Sequence, residues 1–402
     1  MEEIIVRQKY LKKTAPFINK PIIKVFTGQR RIGKSYIMLQ TIDQIKEQYP
    51  DGNFIYINKE NPEFEFIKTN SDLLEYIKDQ RDPGHKNFIF IDEIQEIADF
   101  EKSMRGLLTD RSNDLYCTGS NSSLLSGEIA TMLSGRYVEI PVYGLSYMEF
   151  LQFHNLNENS ESLLKYITTG GMPFLIHLDD KPGIRLEYLK NVLNTILFKD
   201  VVQRFNVRNY SFLNNLVNYL ADNSGSLVSA NRINDFLKSQ KTAVSTRSVI
   251  DYLHFIESSY FIYKANRYDI TGRKIFEIND KYYFEDIGLQ HVLRPYDPAR
   301  LHKYIEGLVY HHLIDSGFKV YVGKLADKEI DFVASKGEQT IYIQVALNVI
   351  DKKTFEREFG NLLLIKDNYT KYVVTLDEFA TGNHKGIKHH SLRNFLLMED
   401  FA

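Results

Sequence analysis

Gly28-Gln29-Arg30-Arg31-Ile32-Gly33-Lys34-Ser35 is a complete GxxxxGKS. It follows directly on the apolar run 21–27 (PIIKVFT) and precedes a stretch, 36–47, in which Ile37, Leu39, Ile42 and Ile45 recur at roughly helical spacing. A glycine-rich loop between a strand and a helix is the setting in which this pattern wraps phosphate. The glycines let the chain close on an anion without Cβ clashes, and the loop and helix N-terminus aim backbone N–H groups at it. Lys34 is placed to reach the β- and γ-phosphates and the Ser35 hydroxyl to bind Mg²⁺. Gly28, Gln29, Arg30, Arg31, Ile32, Gly33 and Tyr36 complete the candidate nucleotide contacts.

Outward from the loop, 53–57 (NFIYI), 88–91 (FIFI) and 115–118 read as further strands, and 71–78 as a helix with Ser71 as its N-cap. Apolar runs separated by helices predict a parallel sheet covered on both faces. The run 88–91 ends in Asp92-Glu93, 58 residues beyond Lys34. Asp92 would hold the Mg²⁺ water shell. Glu93 would polarise an attacking water, a role that a kinase or Ras-type GTPase does not need at this position. Asn121 or Ser120, in 116–121 (YCTGSN), would sense the γ-phosphate, and Asn58 would hydrogen-bond Glu93 when no substrate is present. Guanine is disfavoured: 58–61 (NKEN) lacks the Asp of an NKxD reader and precedes the acid strand, and nothing like DxxG follows Asp92. Arg136, with Arg105 and Arg111, supplies the candidate catalytic arginines, and a finger donated by a neighbouring copy would imply a homo-oligomer.

The chain has 402 residues, enough for two to four domains. Its 43% hydrophobic and 25% charged residues exclude a collagenous, low-complexity or wholly disordered chain. With 50 basic residues against 52 acidic ones, no global polyanion-binding signature exists. The one cysteine, Cys117, cannot form an internal disulfide, residues 1–13 lack the apolar core of a signal peptide, and no run of about 18 apolar residues marks a membrane span. A cytoplasmic protein without membrane contact is expected. The 26 Tyr and 26 Phe, with no Trp, read as packing.

From about Leu145 the pattern turns helical, breaks at 170–173 and resumes through Val207. Helices at 210–220, 229–237 and 245–256, then extended runs at 260–265 and 274–284 around Thr271-Gly272-Arg273, describe a winged helix-turn-helix. Residues 181–249 hold ten basic groups against four acids. The third helix carries only Arg247 as a base, with Asp251 inside it and Glu257 after it, so DNA and a protein both stand open as the partner. A last α/β segment runs from 297, with a helix at 304–313 and strands at Val320, 330–333 and 340–345. The expected organisation is a P-loop domain at 1–145, a helical connection at 146–207, a winged helix at 208–296 and a small α/β domain at 297–402.

GQRRIGKS, FIFIDEIQ, CTGSNSSLL, LSGRYVEI with PVYGLSYMEF, and KYYFEDIGL, in this serial order, resemble the prokaryotic AAA-type P-loop ATPases related to the archaeal ATPase group of the STAND clade. That resemblance implies Mg-ATP binding and hydrolysis by the first domain, then a winged helix and a C-terminal restriction-endonuclease-like domain. The last domain is similar to PD-(D/E)xK nucleases at Glu306, Asp331 and Gln344. The lysine expected two residues beyond Gln344 is Ala346, with Lys324 or Lys328 as substitutes from another strand, so a degenerate, non-cleaving domain is expected. His311-His312 and His389-His390 lack the i, i+4 spacing of a helical metal site. The functional expectation is an ATPase whose nucleotide state controls the later domains on DNA or a protein. An ATP-gated nuclease and a non-hydrolysing ATP switch are the alternatives.

Overall fold

Every residue of β3 (Asn87–Asp92) is buried, as an apolar run without alternation requires of a strand covered on both faces. The computed structural model describes residues 5–122, 133, 135–179, 181–239, 244–378 and 380–401. Residues 123–125 of the CTGSNSSLL stretch, Ser134 and Lys241 lie outside these.

Around β3 stand β1 (Ile23–Thr27), β2 (Asn53–Asn58), β4 (Asn113–Gly119) and β5 (Tyr137–Pro141), in the order β2-β3-β4-β1-β5. All four neighbouring pairs are parallel. Because β4 separates β1 from β3, the loops that leave these three strands share one sheet edge. Helices α1 (Gln8–Thr14), α2 (Lys34–Gln48), α3 (Asn70–Gln80) and α4 (Phe100–Leu108) accompany the sheet. Leu73, Ile77, Met104 and Leu107 pack with Val25, Ile89, Ile91, Leu115 and Cys117 in one core. Burial pushes the Cys117 thiol up to about 12, so it stays protonated and serves as packing.

Helix α3 begins one residue before Ser71, with Thr69 as its N-cap. Thr69 accepts from the Asp72 N–H while Asp72 accepts from the Thr69 N–H at 2.8 Å. Two orphan donors are thereby satisfied, and this reciprocal pair, instead of a lone serine, sets where the helix starts.

Residues 1–143 form one compact unit with 258–260, and 144–257 with 261–402 form a second. The second starts with helices Tyr147–Phe153, Ser160–Thr169 and Pro182–Thr195, continued by a π-helical stretch, Ile196–Gln203. Helices Tyr210–Asn223, Ala230–Ser239 and Thr246–Ser258 precede the antiparallel pair β6 (Ile262–Asp269) and β7 (Lys274–Phe284). An isolated antiparallel bridge joins Val228 to Asp280. Helices Ile287–Leu293 and Leu301–Asp315 lead to β8 (Lys319–Leu325), β9 (Lys328–Lys336) and β10 (Gln339–Ala346). Beyond the last strand legible in the sequence come helix Lys352–Leu363, β11 (Thr370–Thr375), β12 (Thr381–His384), β13 (Ile387–Ser391) and helix Leu392–Leu396.

The eight strands form one sheet, β12-β13-β11-β10-β9-β8-β6-β7. The expected segments 146–207, 208–296 and 297–402 lie in this second unit apart from 258–260, and the sheet spans the boundary expected at 296. Arg267–Asp269 of β6 pair in parallel with 322–324 of β8, which occupies backbone groups that a free hairpin would leave open. Leu145, Phe150 and Tyr166 of the helical stretch share a core with Tyr283, Tyr310 and Phe332. The helical connection, the hairpin and the final α/β segment therefore stand on one sheet and one core, with the aromatics as packing. No helix among the described residues is long and apolar enough to cross a membrane.

Candidate functional site

Gly28 has φ +144°, and a Cβ there would lie 2.2 Å from the Val142 carbonyl oxygen, so this turn admits only glycine. Gly33, at φ +93°, caps α2 in the left-handed region and leaves the first-turn N–H groups pointing out of the helix end. The buried Lys34 Nζ donates to the carbonyls of Gly28 at 3.0 Å and Gln29 at 2.9 Å. It also lies 3.9 Å from Glu93 Oε1. Ile32 is wholly buried, so only its backbone faces the loop, whereas Tyr36 in the first turn of α2 is 59% exposed.

The ends of β3 and β4 complete the edge. Asp92 is hydrogen-bonded to the Ser35 hydroxyl and to Thr118 Oγ1, while Thr118 Oγ1 accepts from the Glu93 N–H at 2.8 Å. Burial holds the Asp92 carboxyl above its ordinary range against Ser35 and Thr118. For Glu93 burial acts in the same direction but is outweighed. Lys34 first, then Arg30, Gln95 and Ser120, keep it below the usual carboxylate range and ionised. Glu93 sits at φ +57°, a left-handed conformation that costs a non-glycine residue about 1–3 kcal/mol. The contacts of its carboxylate and backbone hold it there.

The structure therefore joins Lys34, Ser35, Asp92, Glu93 and Ser120 at one edge, with the buried Asn121 beside Ser120. Asn58 stands at this same edge, in register with Asp92, but its side chain is turned to its own loop, and the candidate arginines Arg136, Arg111 and Arg105 fall elsewhere. The Asn58 Oδ1 accepts from the Glu60 N–H at 2.9 Å and serves its own turn. Glu93 is instead met by Gln95 Nε2 and by the Ser120 hydroxyl, which donates at 3.2 Å. Arg136 precedes β5, whose first residue pairs with Ile23 while Pro141 pairs with Thr27. It is thus at the opposite sheet edge from the loop and cannot act in its own site. Arg111 precedes β4 at that same far edge, where its carbonyl accepts from Lys86, and Arg105 lies in the last turn of α4. The arginine that biases Glu93 is Arg30 of the loop itself, also bound to Glu60 at 2.9 Å.

Arg7 carried no sequence signal. It is 4% exposed and donates from Nη1 to the Ile32 carbonyl at 3.1 Å and from Nη2 to the Tyr143 carbonyl at 3.0 Å. Its guanidinium carbon lies 4.6 Å over the Tyr10 ring.

In the second unit Glu306, Asp331 and Gln344 also come together. Gln344 Oε1 accepts from the Asp331 N–H at 2.7 Å, and Asp331 Oδ2 accepts from the Val345 N–H at 2.8 Å. The lysine beside them is Lys281 of β7, bound to Glu306 at 2.8 Å and Glu329 at 2.9 Å. Lys324 is directed elsewhere, 5.3 Å over the Phe276 ring, and Lys328 is exposed. Of the histidine pairs, His311 Nε2 is bonded to the Phe284 carbonyl, and His389 Nε2 meets Thr375 Oγ1 at 3.0 Å. Among the described residues no group of three or more His, Cys, Asp and Glu is arranged to hold a metal ion.

Residues 20–151 match the family described as AAA domain, and residues 160–303 match a domain of unknown function, DUF8612. Over 391 residues the chain is 35% identical to an uncharacterized protein of Haemophilus influenzae, covering 96% of each. It is 30% identical over 406 residues to an uncharacterized protein of Methanocaldococcus jannaschii, covering 94% of this chain and 89% of that one. Among solved structures the Walker-type ATPase of Pyrococcus abyssi superposes with a TM-score of 0.53 at 15% identity, over 73% of this chain and 97% of that one. The last likeness is one of fold.

Proposed function

The chain belongs to one family with its two full-length relatives and carries an AAA domain, and on that premise we propose that it binds Mg-ATP at the Gly28–Ser35 loop and hydrolyses it. One observation carries the reading: Lys34 and the ionised Glu93 lie 3.9 Å apart at a sheet edge where Ser35 and Asp92 are hydrogen-bonded to each other. The loop N–H groups and Lys34 hold the β- and γ-phosphates. Ser35 and Asp92 fit Mg²⁺ because a hydroxyl and a carboxylate already within bonding distance can share one hard cation. When bound, Mg²⁺ neutralises charge on the phosphate oxygens.

Glu93 orients a water on the γ-phosphorus and takes its proton as the new P–O bond forms. The bond to the bridging oxygen breaks, and the electron pair leaves on ADP, where Lys34 and the loop dipoles stabilise it. ATP turnover by the purified chain, lost in Lys34→Ala, tests this. Wild-type protein that neither binds nor turns over ATP rejects it.

We read 210–284 as a winged helix that passes the nucleotide state to a partner. Its support is the run of three helices and a hairpin with the Val228–Asp280 bridge. Two observations favour a protein over DNA as that partner. Arg247, the one base of the third helix, is paired with Asp251 at 3.1 Å, and the hairpin end is hydrogen-bonded to β8. ATPase rates measured with duplex, forked and single-stranded DNA decide between them, since stimulation by any of these rejects the protein reading.

A further inference from the structure

Lys281 stands between two glutamates, one of them the expected metal ligand Glu306. Its side chain is 4% exposed, and its ammonium is 2.8 Å from Glu306 Oε1 and 2.9 Å from Glu329 Oε1. The Tyr283 hydroxyl donates to the same Glu306 oxygen at 2.7 Å. Burial alone would discharge this lysine, but Glu306, Asp331 and Glu329 together hold it above the ordinary lysine range. Asp331 in turn is raised well above the usual carboxylate range by burial and by the neighbouring Glu306.

The expected metal ligands do not fit a metal. Both polar atoms of the Gln344 side chain are engaged, Oε1 by the Asp331 N–H and Nε2 by Glu358 Oε2 at 2.8 Å. One Asp331 oxygen is bound to the Val345 N–H, and Glu358 already accepts from Arg357. A hard divalent ion needs several carboxylate or carbonyl oxygens free to converge on it. Here a covalently tethered ammonium meets the acids first.

We infer that Lys281 is the resident cation of the Glu306–Glu329–Asp331 cluster, a built-in replacement for a divalent metal, and that the eight-stranded sheet carries a metal-free, non-cleaving site. The replacement comes from β7, which is why no lysine is needed at Ala346. Its corollary is that, with the ammonium removed, Glu306 and Glu329 lose their shared counter-charge, and a divalent ion from solution supplies it.

The test is Mn²⁺ titration of the full chain without nucleotide, read by the Mn²⁺ electron paramagnetic resonance signal and by thermal unfolding. In the wild type, Glu306→Gln leaves Mn²⁺ binding unchanged, and neither single- nor double-stranded DNA is cut. Lys281→Met, which keeps the side-chain length but not the charge, lowers the unfolding midpoint by on the order of 10 °C. Mn²⁺ restores part of that loss through one additional bound ion, and a further Glu306→Gln removes it. Three results overturn the inference: an ion bound by the wild type and lost in Glu306→Gln, DNA cleavage that depends on Asp331, or a folded Lys281→Met protein that gains no ion. If Lys281→Met does not fold, the comparison of wild type with Glu306→Gln decides alone.

Discussion

The Ser120 hydroxyl donates to the Glu93 carboxylate at 3.2 Å, across the gap between the ends of β4 and β3. Gln95 reaches the same Glu93 oxygen from two residues along the chain. The carboxylate proposed to activate water is thus held at its outer oxygen by two neutral donors. Gln95→Ala removes one of them and is expected to raise basal ATP turnover about tenfold, the scale of one hydrogen bond to a charged group. Glu93→Gln is expected to lower kcat by at least about a hundredfold while ATP still binds. Steady-state turnover and nucleotide binding by fluorescence check both, and a Gln95→Ala rate below wild type contradicts the restraint.

Arg7 pins the Ile32 carbonyl, and the peptide that carries this oxygen also carries the Gly33 N–H, which points the opposite way. Fixing the carbonyl therefore aims that N–H into the phosphate loop. Arg7→Ala is expected to raise the KM for ATP about tenfold with kcat within about threefold, one charge-assisted hydrogen bond being worth that much. Arg7→Lys, which keeps the charge and one donor, should recover part of the loss. Loss of kcat with KM unchanged would refute the positioning role.

At Gly28 the geometry leaves no room for a methyl group. Gly28→Ala drives a Cβ toward the Val142 carbonyl at a positive φ. The expected result is a loss of about 2–4 kcal/mol in stability together with weakened ATP binding, measured by denaturant unfolding and nucleotide titration.

Glu285 supplies a pH dependence. It accepts from the Gly144 N–H at 2.8 Å, and burial pushes its carboxyl up to about 8. The folded state therefore binds a proton that the unfolded chain releases near its ordinary carboxyl pKa of about 4.3. Stability from this group is fully present below that unfolded value and is lost as pH rises toward 8. Glu285→Gln keeps an acceptor for Gly144 and should flatten the fall in melting temperature between pH 5 and pH 8. An unchanged slope would show that Glu285 does not titrate in that window.

Four of the five strands of the parallel sheet were legible because each holds a short apolar run, whereas β5 (Tyr137–Pro141), with Glu139 and Pro141 in it, was not read. The N-cap of α3 was misread by two residues because Ser71 is a plausible cap in isolation, and only the reciprocal bonds of Thr69 and Asp72 exclude it. That the sheet runs across residue 296 was not legible, because a hairpin looks the same in sequence whether its edge is free or, as here, bound to β8. Arg136 was misplaced because a sequence does not tell which sheet edge the start of a strand occupies, whereas the register of β5 against β1 does.

What the sequence by itself determined is the phosphate loop and the acid pair, since each depends on consecutive residues whose chemistry is local: glycines that permit the turn, a lysine and hydroxyl beside it, two acids at the end of an apolar run. Only the tertiary structure decided which groups face those acids. Ser120 stands 27 residues from Glu93, and Lys281 stands 25 from Glu306. Strand order and the packing of the Leu301–Asp315 helix bring these pairs together, and neither has a periodicity to read in the chain.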